Sequence, residues 1–234
     1  MTTGEESKTN DKSMKSIILL SGGLDSLVSL GLKKEELNIE LALTFDYGQK
    51  SVQKEIKAAQ KICSYYELKY NVIKLDWLKE ITQTSLVTDS NIPTGNDLDN
   101  PKESAKSVWI PNRNGLFLNI AGCFADSYGY NYILIGANKE EGETFSDNTQ
   151  EFIDGVNEEF KYSTIKHPKV IAPLINYDKN DIVMLALKHN IPLDLTMSCY
   201  QDGEGHCGVC ESCTRLKHAL QKNNAEDYLK ILFG

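Results

Sequence analysis

The sequence predicts an α/β fold: an open, mostly parallel five-stranded sheet with helices on both faces, followed by a C-terminal four-cysteine zinc-binding segment. Three observations predict it. Short apolar runs alternate with helix-length amphipathic stretches, which is the pattern of βαβ units. A glycine-rich turn flanked by hydroxyls, Ser21-Gly22-Gly23-Leu24-Asp25-Ser26, separates the first apolar run from the first helical pattern. Cys199, Cys207, Cys210 and Cys213 gather near the C-terminus.

The elements follow in order. Ile17–Leu20 is the first strand, and Leu24 to about Lys34 its helix. Leu41–Phe45 is the second strand, ending at Asp46-Tyr47-Gly48-Gln49. A helix from about Ser51 to Tyr66 places Ile56, Ala59, Cys63 and Tyr66 on one stripe. Tyr70–Leu75 is the third strand. Residues 88–107 lack periodicity and are too long for a passive connection, so they read as an active-site loop or lid. Asn112 to about Tyr128 is a buried helix carrying Leu116, Phe117, Ile120 and Phe124. Tyr132–Gly136 is the fourth strand, 137–150 a polar loop, and Thr149–Tyr162 a helix. Val170–Ala172 is a short fifth strand, and Lys179–His189 a helix. Cys63 and Cys123 fall on apolar helical faces, as small core residues do.

Length and charge bound the rest. A chain of 234 residues with 41% hydrophobic content suits one soluble domain over 15–234, with 195–234 as its metal-binding end. Residues 1–14 are polar and read as a flexible extension, with Met14 a candidate start. No apolar stretch reaches the roughly 20 residues of a membrane span. The polar N-terminus lacks a secretory signal, which gives a cytoplasmic expectation. A net charge of −8 argues against direct binding of nucleic acid. A homodimer is compatible with the sequence, since dimers are common among soluble enzymes.

The chemistry concentrates at the carboxyl ends of the strands, where open α/β sheets bind ligands. At residues 21–26 the free N–H groups of a helix N-terminus face outward and carry partial positive charge, which suits phosphate. Two glycines let the backbone approach an anion, and Ser21 and Ser26 add hydroxyl donors. No lysine follows in the Walker pattern. The segment resembles the PP-loop of the N-type ATP pyrophosphatases, which hold pyrophosphate while a substrate oxygen attacks the α-phosphorus. An ordinary strand-to-helix turn is the plain alternative.

Four thiolates can close a tetrahedral site, and a site with no open position is structural. Gly203, Gly205 and Gly208 supply the turns. Zn²⁺ suits four soft anionic ligands. An iron–sulfur cluster also fits, and His206 is a rival ligand or an exposed imidazole. With six cysteines and no signal peptide, metal ligation and buried thiols are favoured over disulfides.

Taken in order, Ser21–Ser26, Phe45-Asp-Tyr-Gly-Gln49, Ile110-Pro-Asn-Arg-Asn114, Ser198-Cys-Tyr200 and Cys207-Gly-Val-Cys210-Glu-Ser-Cys213 resemble the QueC family of the queuosine pathway, over about residues 15–220. The resemblance implies an adenine nucleotide alpha hydrolase-like fold. It also implies synthesis of a nitrile, 7-cyano-7-deazaguanine, from 7-carboxy-7-deazaguanine, ammonia and ATP. It assigns ATP to Leu20, Ser21, Gly22, Gly23, Leu24, Asp25, Ser26 and Leu27 and zinc to the four cysteines, with Mg²⁺ accompanying the triphosphate. Asp46 and Gln49 are then candidates for adenosine, with a turn role for Asp46 as the alternative. Asp25 is a metal or ammonia-side carboxylate, or a cap. Arg113 binds the acceptor carboxylate or a phosphate, or an ordinary ion pair. Asp147, with Phe145 or Trp109 stacking, would read the base, although each aromatic also suits a core. Ser21, Asp25, Ser26 and Arg113 form the expected catalytic set.

The chain departs from the family where Asp-[FY]-Ser-Gly-Tyr-Pro-Asp-Cys becomes Glu141-Gly-Glu-Thr-Phe-Ser-Asp-Asn148, and where Val-Pro-Gly-Arg-Asn becomes Ile110-Pro-Asn-Arg-Asn114. Alternatives therefore stay open: an amide-forming relative, a PP-loop tRNA-modifying ligase, or an adenylating module that conjugates proteins.

Overall fold

A computed structural model describes residues 14–88, 90–92, 94 and 107–234. The expected N-terminal extension and most of the expected 88–107 lid lie outside the described residues. Five strands form one sheet: β1 (Ser16–Leu19), β2 (Ile39–Asp46), β3 (Lys69–Lys74), β4 (Tyr132–Leu134) and β5 (Lys169–Ile171). Their spatial order is β3-β2-β1-β4-β5, and every neighbouring pair is parallel. The chain therefore winds outward from β1 to one edge and returns to build the other half. That reversal between β1 and β4 opens a crevice at their carboxyl ends.

Nine helices are described: α1 (Leu24–Lys33), α2 (Val52–Tyr65), α3 (Asp76–Ile81), α4 (Arg113–Tyr128), α5 (Lys139–Gly142), α6 (Gln150–Ser163), α7 (Lys179–Lys188), α8 (Glu211–Lys222) and α9 (Glu226–Phe233). They cover both faces of the sheet. Because side chains alternate along a strand, Ile18 points into a core made with α1, α2, α7 and α8, through Leu27, Ile62, Val183 and Leu216. Ile17 and Leu19 point into the opposite core, against Leu118 and Ala121 of α4 and Ile153 and Phe160 of α6. Burial on both faces explains why Ile17, Ile18 and Leu19 of β1 and Leu41, Ala42 and Leu43 of β2 are continuous apolar runs instead of alternating ones.

Several elements differ from expectation. The fourth strand stops at Leu134, two residues early, and the polar loop after it contains α5 and a single 3₁₀ turn over Ser146–Asn148. Asn138 caps α5 by accepting the Glu141 amide at 3.1 Å. The helices α3, α8 and α9 were not anticipated. In α8, Cys213, Leu216, Ala219 and Leu220 form the buried stripe, so metal ligation and core packing share one helix face. Cys63 is buried as expected. Cys123 is not: α4 turns its Leu118, Ala121 and Ala125 face inward and leaves Cys123 exposed. Among the described residues no helix is long and apolar enough to cross a membrane.

Candidate active site

The loop between β1 and α1 forms the floor of a cleft of about 210 Å³ at the switch point. Gly23 caps α1 in extended conformation. Its amide donates to Ser21 Oγ at 3.2 Å, and the Leu24 amide donates to Ser198 Oγ at 3.2 Å. Ser26 Oγ donates to Gly23 O at 3.0 Å and lies 3.3 Å from Ser21 Oγ. Hydroxyls thus occupy amides at a helix N-terminus, where anionic oxygens bind. On the opposite side Gly136 follows β4. A Cβ there would stand 2.9 Å from the Ser26 nitrogen and 3.0 Å from the Asp25 carbonyl carbon, so a side chain would seal the cradle. The donor set fits a phosphate group.

Of the predicted nucleotide residues, Leu20, Ser21, Gly23, Leu24, Asp25, Ser26 and Gln49 line the cleft, and Gly22, Leu27 and Asp46 do not. Gly22 has φ +83°, and a Cβ on it would meet Ala58 Cβ at 2.7 Å. Its glycine serves the packing of the loop on α2 and a left-handed backbone, not approach to an anion. Leu27 is core. Asp46 accepts the Gly48 amide at 3.1 Å, the turn role. Gln49 is committed on both ends: its amide nitrogen donates to Phe45 O and to Glu55, and its oxygen accepts the Tyr47 amide. It fixes the turn after β2, which leaves little of it for reading adenosine. Ser51 Oγ donates to the second oxygen of Glu55 at 2.5 Å. Burial raises the Glu55 carboxyl above the usual range.

Two residues without an assigned role complete the cleft. Lys179, at the start of α7, donates to Asp25 and lies 3.5 Å from Glu141. Burial works against the charged ammonium, yet Asp25 and Glu141 together hold its pKa above the ordinary value. Burial pushes Asp25 upward, against the pull of Lys179, with Glu141 and Glu140 adding to the rise. Glu141 goes the other way: Lys179 and Arg113 outweigh its burial and lower it. One oxygen of Asp25, Oδ1, is buried with no hydrogen-bond partner among the described residues. Nothing in the sequence around Lys179 marks it beyond the capping box of α7, formed by Asp178 and Asp181.

A second cavity of about 60 Å³ adjoins the first, lined by Trp109, Arg113, Phe145 and Asp147 among others. Arg113, the first residue of α4, lines both cavities. Tyr47, Asp147 and Tyr200 surround its guanidinium and raise its pKa despite burial. The preceding Asn112 has φ +53°. Only Gly and short polar residues such as Asn adopt that region readily, so Asn in place of the family's Gly preserves the backbone. Asp147 is buried, accepts from Asn148 Nδ2 at 3.0 Å, and is pushed upward by burial with Arg113 pulling it down. Trp109 and Phe145 stack on one another, with centroids 5.6 Å apart and planes 16° apart. They present one aromatic wall.

The four cysteine sulfurs lie within 4.8 Å of one another, three of them buried. Cys207 and Cys213 sulfurs are 3.9 Å apart, close to the ~3.8 Å edge of a tetrahedron with 2.3 Å metal–sulfur bonds. The Cys207 and Cys210 amides point at Cys199 and Cys207 sulfurs, at 3.4 and 3.3 Å. Gly203, Gly205 and Gly208 all have positive φ, as the expected turns require. His206 is neither ligand nor free surface imidazole. Its Nε2 accepts the Ser198 amide at 3.1 Å and its ring packs on Phe233. It thereby ties the cysteine turn to Ser198, which holds the loop.

Comparison with known proteins points to one family. A family model described as "Queuosine biosynthesis protein QueC" matches residues 15–224. A 7-cyano-7-deazaguanine synthase from Carboxydothermus hydrogenoformans is 51% identical over 213 residues, covering 89% of this chain and 99% of that protein. One from Methanosarcina mazei is 47% identical over 230 residues, covering 94% and 100%. Among solved structures, an NH3-dependent NAD synthetase from Campylobacter jejuni aligns at a TM-score of 0.46 and 18% identity, over 95% of this chain and 80% of that one. With nearly all of the described chain inside the matched region, this protein belongs to the QueC family.

Proposed function

We propose that this chain is an ATP-dependent ligase that converts 7-carboxy-7-deazaguanine and ammonia to 7-cyano-7-deazaguanine, as the names of its relatives describe. The observation that carries the reading is Arg113, whose guanidinium lines both the loop cleft and the aromatic cavity. A carboxylate held on its planar fork stands between a nucleotide on one side and a purine ring on the other.

A carboxylate is a poor electrophile, so one of its oxygens first attacks the α-phosphorus of ATP. The new O–P bond forms as the bond to the β-phosphate oxygen breaks, and pyrophosphate leaves. The loop amides, Ser21 and Ser26 stabilise the charge it gains, with Lys179 opposite them. Ammonia then attacks the acyl carbon and AMP departs, giving the amide. The amide oxygen then attacks the α-phosphorus of a second ATP, releasing pyrophosphate and one N–H proton, and loss of AMP with the remaining N–H proton leaves the nitrile. The free oxygen of Asp25 is suited to the Mg²⁺ that accompanies the triphosphate. Asp147 would accept from the base and Trp109 and Phe145 would cover its face. Cys199, Cys207, Cys210 and Cys213 would hold Zn²⁺, which suits four thiolates and would brace the turn that carries Ser198 and His206. Its substrates are small molecules, and we place it in the cytoplasm.

The test is incubation with ATP, Mg²⁺, ammonium and 7-carboxy-7-deazaguanine, with mass detection of acid, amide and nitrile. Nitrile with AMP and pyrophosphate is expected. Amide alone, ADP, or no product would overturn the assignment.

A further inference from the structure

The helix that starts at the cysteine cluster also builds a wall of the second cavity. Cys210 caps α8, and the first turn of that helix carries Glu211 and, one turn on, Arg215. Residues four apart share a helix face. Here that face is opposite the stripe of Cys213, Leu216 and Leu220, which is committed to metal ligation and core packing. Glu211 and Arg215 therefore look into the cavity that holds Trp109, Phe145 and Asp147. Arg215 Nη2 donates to Glu211 Oε1 at 2.5 Å, and Nη1 lies 3.7 Å from Glu140 Oε2. About a third of each side chain is exposed, at 34% and 27%, and that exposure opens on the cavity.

We infer that Glu211 and Arg215 are specificity-determining residues that read the lactam edge of the acceptor base. The inference rests on the function proposed above. A guanine-like ring presents an oxygen acceptor at the 6-position beside an N–H donor at the 1-position. A guanidinium and a carboxylate already hydrogen-bonded to one another offer the reverse order, donor then acceptor. Asp147 on the adjoining wall is left for the 2-amino group. The pair is preorganised: the bond between the two side chains and the short helix origin at Cys210 fix both before a ligand arrives, which lowers the ordering cost of binding. The two ends of the acceptor are then separated. Arg113 takes the carboxylate that reacts, and α8 takes the edge that identifies the base.

The experiment measures equilibrium binding of 7-carboxy-7-deazaguanine to the metal-loaded protein by calorimetry, together with KM for acceptor and for ATP. Arg215→Ala and Glu211→Gln should each weaken acceptor binding about 10- to 100-fold, the worth of one charge-assisted hydrogen bond. KM for ATP should stay unchanged, and Arg215→Lys should recover part of the loss. As an independent measurement on the unaltered protein, an acceptor with a 6-amino group in place of the 6-oxygen reverses the hydrogen-bonding edge. It should bind at least tenfold more weakly, and Arg215→Ala should shrink that discrimination. Acceptor affinity unchanged in both variants, a parallel rise in ATP KM, or equal binding of the two acceptors by the unaltered protein would overturn the inference. No binding of either acceptor by the unaltered protein would instead overturn the proposed function.

Discussion

Replacing Lys179 with Met removes the ammonium between Asp25 and Glu141 and leaves two carboxylates with no cation between them. The side chains are 11% and 17% exposed for Lys179 and Asp25, so the small value of a surface pair does not apply. At an effective dielectric of about 20, unit charges at the 3.5 Å between Lys179 and Glu141 attract by about 4.7 kcal/mol. Desolvation offsets much of that while the cluster is intact, but removing one partner exposes the penalty of the others, about 3–5 kcal/mol. For a chain of this size that lowers Tm by roughly 6–20 °C. Because Lys179 is raised in the folded state, its stabilisation is complete below the ordinary lysine pKa and disappears only as pH rises beyond it. Compared between pH 7 and 5, the defect in Lys179→Met should shrink as pH falls, because burial raises Asp25 and no ammonium remains to oppose its protonation. Scanning calorimetry across that range provides the assay, with Asp25→Asn/Lys179→Met as the second variant, expected to recover at least half of the loss. A Tm within 3 °C of the unaltered protein, or a double variant no more stable than the single one, would refute the electrostatic argument.

Two glycines beside the loop should separate stability from nucleotide binding. Gly22→Ala forces a left-handed alanine against Ala58 and the Glu55 carbonyl and should cost about 2–4 kcal/mol in urea melts. Gly136→Ala puts a methyl 2.9 Å from the Ser26 nitrogen and must shift the first turn of α1; beside a loss in the melt, it should raise KM for ATP about tenfold or more in a pyrophosphate-release assay, which Gly22→Ala should not. Equal effects of the two on both measurements would mean that neither glycine has the specific role described. Cys210→Ala should lose bound metal and thermal stability together, since a closed thiolate site contributes folding free energy. Metal retained at full stoichiometry by elemental analysis would remove Cys210 from the ligand set.

The parts legible in the sequence were those with local signals. Strands buried on both faces announce themselves as apolar runs, and a glycine–hydroxyl turn after the first of them marks a helix N-terminus whatever the rest of the chain does. Four cysteines at fixed steps carry their own geometry. Lys179 was not legible because its partners Asp25 and Glu141 are far away in sequence and only the switch point brings them together. Ser198 was visible as part of a motif, but its contact with the Leu24 amide depends on the cysteine turn folding back over β1. Gln49 and Gly22 show a related limit: each sits in a loop at the active edge, and the hydrogen bonds of Gln49 and the packing of Gly22 on α2, which hold that loop in shape, were not legible in the sequence. Cys123 shows the limit of periodicity: α4 is apolar on more than one face, and the sequence does not say which face the sheet will cover.

The departures from the family pattern divide by what the backbone and charges require. At position 112 the requirement is a left-handed φ, and Asn meets it, so Arg113 keeps its place at the mouth of both cavities. At position 141 the requirement is a negative charge within reach of Lys179, and Glu meets it as Asp would, by a longer side chain. Both changes therefore leave the activation half of the site intact. The changes at 145–148 are of another kind: Phe145 lines only the second cavity, whereas Asn148 lines both that cavity and the loop cleft. Asn148 spends its amide on Asp147, which fixes that carboxylate where a thiol would leave it freer. Under the proposed function, divergence at Phe145 should tune affinity and selectivity for the acceptor more than the rate of adenylation, because that side chain lies outside the loop cleft.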